Sequence, residues 1–375
     1  MPYHLSEGVF GGAEVQAWLL AKELARRYYE VSYIAQSIKG KRNQRENKEG
    51  VQVRWVRYVR VFGWANGRDY YRALLEIAPD IVVQRMTSFI TGIAGLYCRK
   101  HRKKFVWICT DNSQPVSWFF LKNQQKSLAQ NKVSLLKKPV LLFNALIYDL
   151  SRHWGMKQVA VAFTQNIYQE RALKIYFTRD SFRMISSQEI SELRLPPEQR
   201  LKNRLILWVG NLGSVKNPKE FLEMARLGTE SGLRFVMVGG KDDKKYLEML
   251  FRDKPKNLEW LGRLSFDQAL RWFCQASFLV NTSEKDKEGF PNTFIQAWLH
   301  GVPVVTLGVD PDGVIQKNNL GFVAKNVEEM LKIISSLFEN IQEYIALSAR
   351  VFEYARSHHS VEKMGDHFLS VLGIL

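Results

Sequence analysis

The sequence predicts an α/β protein made of two Rossmann-like doubly wound parallel-sheet domains facing across a cleft. Three observations lead there. The chain has 375 residues, more than one ordinary hydrophobic core organises. Short apolar runs alternate with amphipathic helical stretches, once before residue 184 and again after residue 204, as expected of parallel strands joined by crossover helices. Charge divides along the chain as well. Lys and Arg outnumber Asp and Glu 30 to 13 over residues 1–187 and balance at 24 to 24 over 188–375. The predicted domains are 1–187 and 188–355, followed by a terminal helical segment, 356–375.

Gly11-Gly12-Ala13-Glu14 opens an amphipathic helix over 14–27, with Val15, Trp18, Leu19 and Ala25 near one face. A glycine pair at a helix start lets a backbone approach a phosphate, and a plain tight turn uses the same residues. Only ten residues precede the pair and Pro2 interrupts them, so the first strand is expected to be short or absent. A strand follows over 31–35, and 51–60 alternates apolar and basic residues as a strand with one wet face does. Residues 70–78 read as a helix, 81–84 as a strand, and 91–101 as a helix ending in the basic run 99–104, where cations suit the helix dipole. The strand 105–109 carries Thr110, Asp111 and Asn112 at its C-terminal end, where ligands gather in parallel sheets. Over 124–150, Lys126, Lys132, Lys137 and Lys138 lead into an apolar stretch too short to cross a bilayer. An interfacial helix and a core helix with a basic entry loop both fit it. Strand 158–164 and helix 167–175 close the first half, and the polar stretch 184–204 reads as the interdomain linker.

The second half restarts the alternation. Strand 205–209 leads to the loop 210–216 and a helix with Pro218 in its first turn. Strand 234–238 ends in Gly239-Gly240, strand 258–261 in Gly262-Arg263, and strand 277–281 follows a helix starting near Ser265. Next comes 284–303, a loop carrying Glu288, a Gly/Pro turn, a helix from about Asn292 and a stop at Gly301-Val302-Pro303. A helix start after such a loop presents free N–H groups and a positive dipole to an anion. A carboxylate there repels phosphate, so Glu288 is expected to hold neutral hydroxyls. Phosphate and polyol together suggest a sugar nucleotide.

Composition narrows the alternatives. Hydrophobic residues make up 46% of the chain, which places it among folded proteins. Cys98, Cys109 and Cys274 lack metal-site spacing and suit a reducing compartment. Residues 1–10 lack the pattern of a signal peptide, and no run of 18 apolar residues exists. A cytoplasmic location, peripheral to the inner face of a membrane, is the expectation. The basic half is an electrostatic footprint for an anionic surface, whether lipid, nucleic acid or acidic glycan, or a solvated basic face. No nucleic-acid-binding module is recognisable, so nucleic acid is not the expected partner.

Glu288 with GFPNTFI, Gln296 and Ala297, continuing into Gly301-Val302-Pro303-Val304-Val305, resembles the E-x7-E signature of retaining glycosyltransferases of family 4. Gly11-Gly12-Ala13-Glu14, Val209-Gly210 with Lys216-Asn217, and Val238-Gly239-Gly240 match further parts of that family in the same order. The resemblance implies the GT-B fold, with acceptor mainly in the first domain and nucleotide sugar mainly in the second. It also implies that a C-terminal helix over 360–372 packs back on the first domain. By the same resemblance, Glu288 binds donor-sugar hydroxyls and Lys216 neutralises the diphosphate as it leaves. Backbone amides from Phe290 through Pro291, Asn292 and Thr293 to Phe294 line the sugar and diphosphate. Gly11 and Gly12 let the first domain's loop approach the phosphates, Gly210 and Gly239 belong to the donor site, Gly262, Arg263 and Leu264 border the base, and Asp111 stands on the acceptor side. Three positions depart from the family: Gln296 replaces the second Glu, Asn211 stands where an Arg is frequent, and Thr110-Asp111 occupy the region of a frequent His. The implied reaction is retaining transfer from a nucleotide-diphosphate sugar to a glycan or lipid-linked acceptor. No metal and no other cofactor is expected. A catalytically weak or inactive sugar-nucleotide-binding protein is the alternative.

Overall fold

The computed structural model describes residues 11–37, 40–59, 62–130, 134–190, 194–241 and 243–374. The chain divides into two compact units, one of Met1–Ser186 with Val361–Leu375 and one of Ser187–Ser360. The expectation for the first strand, over residues 1–10, and Lys132 fall outside the described residues.

In the first unit, α1 (Gly12–Arg26) precedes β1 (Ser32–Ser37), β2 (Arg45–Lys48) and β3 (Val51–Arg57). β3 pairs parallel with β1 and antiparallel with β2. Val51, Val53 and Trp55 point inward under Trp18 of α1 and Tyr33 of β1. β3 ends at Arg57, short of the expected residue 60, and its wet face is incomplete. Arg54 is buried, held 2.9 Å from Glu76. Then come α2 (Gly67–Ile77), β4 (Ile81–Arg85), α3 (Ile90–His101), β5 (Lys104–Ile108), α4 (Phe119–Gln130), α5 (Lys137–Met156), β6 (Val161–Thr164), α6 (Ile167–Phe177) and β7 (Phe182–Arg183). β4 to β7 pair in parallel in chain order. Phe105 and Trp107 are fully buried in this sheet, as a parallel strand covered on both faces requires.

The second unit runs α7 (Pro197–Asn203), β8 (Leu205–Val209), α8 (Pro218–Leu227), β9 (Arg234–Val238), α9 (Lys244–Phe251), β10 (Leu258–Trp260) and α10 (Phe266–Gln275). It continues with β11 (Phe278–Asn281), α11 (Asn292–Leu299), β12 (Val304–Leu307), α12 (Val314–Asn318), β13 (Gly321–Ala324), α13 (Val327–Glu339) and α14 (Ile341–His358). All six strands are parallel, in the order β10-β9-β8-β11-β12-β13. The chain therefore builds outward from β8 to β10, then returns to lay β11 on the other side of β8. Loops leaving β8 and β11 diverge at that reversal and leave a crevice at the carboxyl ends of the strands, the ligand position of a doubly wound sheet.

The stretch 184–204 is not a free polar linker. Ser186, Ser187 and Gln188 are buried, and residues 197–203 form α7. Arg200 on α7 is buried and donates to the carbonyls of Leu195, His300 and Gly301 and to Ser348 Oγ. Its buried charge thus ties α7 to the stop after α11. After α14, α15 (Val361–Val371) belongs to the first unit. Arg27 on α1 donates to Asp366 (2.6 Å) and to the Glu362 carbonyl (2.9 Å), and Phe368 stacks on Phe163 of β6.

Candidate active site

The candidate site of the second unit is assembled by loops that follow β8, β9, β10 and β11. The glycine loops are stitched by backbone bonds. Gly210 N–H donates to Val238, Gly239 N–H to Gly262 O (2.8 Å), and Leu212 N–H to Gly240 O (3.2 Å). Trp260 Nε1 donates to Gly239 O at 2.9 Å. At Gly239 the backbone has φ of +142°, and a Cβ would sit 1.7 Å from Gly210 O, so this contact requires glycine. Gly210, Gly239, Gly240 and Gly262 are brought together, with the exposed Arg263 lying over Gly240 and Leu264 packed at the edge of the core.

The loop after β8 ends in a 3-10 turn over Ser214–Lys216, and Asn217 adopts a left-handed backbone before Pro218 starts α8. This bend is held from the β11 side. Thr282, just after β11, shares its hydroxyl proton between Lys216 O (2.9 Å) and Asn217 O (3.0 Å). The same oxygen accepts from Trp208 Nε1 at 2.9 Å. Glu284 N–H adds a bond to Val215 O at 2.8 Å. Lys216 is thereby aimed across the crevice, where its Nζ stands 2.5 Å from Glu288 Oε1. Side chains of Lys216 and Glu288 are 25% and 14% exposed, so both stay reachable from solvent. Glu288 Oε1 has no hydrogen bond of acceptable angle, and the pair is a charge contact. Without ligand, the two predicted catalytic residues neutralise one another. A ligand bringing an anion for the lysine and hydroxyls for the carboxylate replaces that contact with two separate ones.

Beside the pair, α11 begins at Asn292 with Pro291 as an N-cap that supplies no side-chain bond. The N-cap residue itself therefore leaves the positive end of the α11 dipole uncovered. Of the amides expected to line the site, that of Phe294 is already bonded to Pro291 O at 3.1 Å, and the Phe294 ring is in the core. Phe290 packs its ring against Trp298 and His359, so it shapes the turn from below. Thr293 and Gln296 are half-buried on α11. The Gln296 carbonyl is 2.7 Å from His300 Nδ1, which must carry the proton there. Burial pushes the His300 pKa down and keeps the ring neutral. Asn211 is exposed and uncharged, so no guanidinium stands at that position of the loop.

Gly11, Gly12 and Asp111 lie in the first unit. Gly11 is the N-cap of α1, but its N–H donates to Glu14 Oε2 at 3.0 Å and is not free for a phosphate. Asp111 is turned inward on its own loop. Oδ1 accepts from Ser113 N–H (2.9 Å) and the Ser113 hydroxyl, and Oδ2 from Gln114 Nε2 (2.7 Å). Both oxygens serve that turn. Sequence reasoning missed Thr282, which carries no motif; its role is visible only once β11 lies beside β8.

Thr282→Val keeps the volume but leaves Trp208 Nε1 and two carbonyls without their bonds. It should lower stability by about 1–3 kcal/mol and reduce turnover, while Thr282→Ser restores most of both. Denaturant melts and initial rates on the three proteins check this.

Residues 10–137 match the family model described as Glycosyltransferase Family 4, and residues 203–340 the model described as Glycosyl transferases group 1. Among solved structures, Anabaena HepE in complex with UDP-glucose is 14% identical, with a TM-score of 0.66 over 98% of this chain and 97% of that one. WaaG, a glycosyltransferase involved in lipopolysaccharide biosynthesis, is 16% identical, with a TM-score of 0.68 over 98% and 97%. TarM is 14% identical, with a TM-score of 0.58 over 81% of this chain, which spans 58% of the TarM length. No curated protein matches the sequence. Fold and matched domains together define a class, the glycosyltransferases of the GT-B fold, to which both halves of the chain are similar. Within that class its first half carries a glycosyltransferase family 4 domain and its second half a group 1 domain.

Proposed function

We propose that this chain is a retaining, metal-independent glycosyltransferase that moves a sugar from a nucleotide-diphosphate donor to a glycan or lipid-linked acceptor in surface polysaccharide or glycoconjugate synthesis. The observation that carries this reading is the Lys216–Glu288 contact of 2.5 Å at the β8/β11 crevice, beside the start of α11. On donor binding, Lys216 turns to the diphosphate and Glu288 to the sugar hydroxyls. The bond from the anomeric carbon to the diphosphate oxygen breaks, and its electrons leave with the nucleotide. The acceptor oxygen bonds the same face of the sugar, and its proton passes to the departing phosphate. Positive charge aimed at the leaving group is what a metal supplies elsewhere. The UDP-glucose bound by HepE supports a nucleoside-diphosphate sugar as the donor class.

A thermal-shift screen against nucleotide sugars, followed by turnover with the hits, tests the reading. A donor that raises the midpoint and is consumed supports it. Binding without turnover under every acceptor would favour the weak or inactive alternative, to which the neutral Asn211 and Gln296 point.

The membrane part of the proposal rests on α5. Lys137, Val140 and Phe143 are exposed on it and Lys138 is half-buried, with Leu135 and Leu136 just before it 79% and 88% exposed. Trp64, itself exposed, is joined to the same helix through Asn144 (3.0 Å). Basic and apolar groups on one helix suit the interface of an anionic bilayer. The inner side of α5 is core, where the buried Asp149 accepts the N–H groups of Phe120 and Leu121 and pairs with Arg152. Among the described residues no helix is long and apolar enough to cross a membrane. The protein should cosediment with phosphatidylserine vesicles and lose binding in Lys137→Glu/Lys138→Glu; equal partitioning of both proteins discards the membrane contact.

A further inference from the structure

A second concentration of unused chemistry lies in the first unit, at the carboxyl edge of the β4–β7 sheet. Arg85 is the last residue of β4. It is 3% exposed, and its Nε and Nη1 are buried without a hydrogen-bond partner. A guanidinium has five N–H donors and remains charged at neutral pH, so donors left unmet in the interior are unfavourable. Burial pulls its pKa down to about 10, which leaves it protonated. Arg152 on α5, also buried and bonded to Thr87 just after β4, is treated differently. Its N–H groups go to Thr87 Oγ1, the carbonyls of Gln114 and Val116, and Asp149.

The surroundings of Arg85 are acidic in only one respect. Glu14 acts on it through its charge, yet gives its Oε2 to the Gly11 N–H. Tyr33 and Cys109 also flank it, and burial keeps both neutral by pushing their pKa values up. The following residue, Met86, is held at φ of +76°, where a non-glycine residue is strained. Trp107 Nε1 donates to Met86 O (2.9 Å), and Met86 N–H to Ile108 O (3.1 Å), which fix that bend. The backbone is pinned, and the cation it delivers is unpaired, at the end of a parallel sheet where ligands bind.

We propose that Arg85 is the anion-recognition residue of a ligand site in the first unit, taking a phosphate or carboxylate group on its Nε and Nη1. Such a group supplies the acceptors and the countercharge that the fold withholds. The basic excess of this half raises the local concentration of anionic ligands. The donor site in the second unit has no part in this inference.

Thermal unfolding in inorganic phosphate, in sodium glucuronate and in sodium chloride of matched ionic strength tests it, on wild type, Arg85→Met, Arg85→Lys and Lys216→Ala. Wild type and Lys216→Ala should both rise by at least ~2 °C over chloride with one of the two anions, and which anion does so separates phosphate from carboxylate. Arg85→Met should lose the shift and, without added anion, melt no lower than wild type, because an unpaired buried cation has been removed. Equal shifts in wild type and Arg85→Met, no shift with either anion, or loss of the shift in Lys216→Ala overturns the proposal. If Arg85→Met does not fold, Arg85→Lys decides: a weakened shift supports the site, and an unchanged one overturns it.

Discussion

Lys216→Ala is expected to lower kcat by roughly 100–1000-fold, the usual loss when one preorganised charge-stabilising group is removed. The effect should be at the upper end because Asn211 adds no second cation on the same loop. The loss should fall on kcat more than on the donor KM, since charge on the diphosphate grows as the glycosyl bond breaks. Stability gives the control. The pair with Glu288 is partly solvated, so its removal changes the unfolding free energy by no more than about 1 kcal/mol. Lys216→Arg should recover part of the rate, because charge returns while the reach differs. Initial rates together with a denaturant melt separate the outcomes, and a loss under about threefold in kcat would remove Lys216 from the mechanism.

The second large effect is structural. Gly239→Ala places a methyl 1.7 Å from the Gly210 carbonyl in a backbone that side chains rarely adopt. Either the β8 loop or the β9 loop must move, and both line the candidate site. A destabilisation of roughly 3 kcal/mol or more is expected, with donor affinity lost even where the protein still folds. Gly213→Ala is the matched control, since a Cβ there meets nothing within 4 Å. Thermal melts of the two variants should differ by roughly 6–12 °C; equal melts would mean the Gly239–Gly210 contact does not constrain the crevice.

These two residues show what was legible in the sequence. Lys216 and Gly239 stand in short motifs at strand ends, where residue type and position already speak of phosphate. The strands of the second unit were legible because each is a run of apolar residues covered on both faces, such as 205–209 and 234–238. Strands that are short or at an edge were not: Arg45–Lys48 is polar, and Phe182–Arg183 has two residues. Arg54 and Arg200 misled for one reason. A basic residue in a polar stretch reads as solvated, whereas here Glu76 buries one and four acceptors bury the other. Asp111 and Gly11 carried the right residue types for a ligand, but their hydrogen-bonding groups are taken up by the local turn and by Glu14. The pairing of Lys216 with Glu288 joins residues 72 positions apart and follows from the strand order, which no local pattern encodes.

The central claim is that this pair divides the donor, lysine to diphosphate and carboxylate to sugar. Calorimetric titration tests it most directly, with UDP and the UDP-sugar found by the screen, on wild type, Lys216→Ala and Glu288→Ala. Lys216→Ala should weaken both ligands at least ~10-fold, about 1.4 kcal/mol. Glu288→Ala should weaken the UDP-sugar alone and leave UDP unchanged or tighter, because the carboxylate near the phosphates is gone. Unaltered affinity for both ligands in both variants would contradict the account.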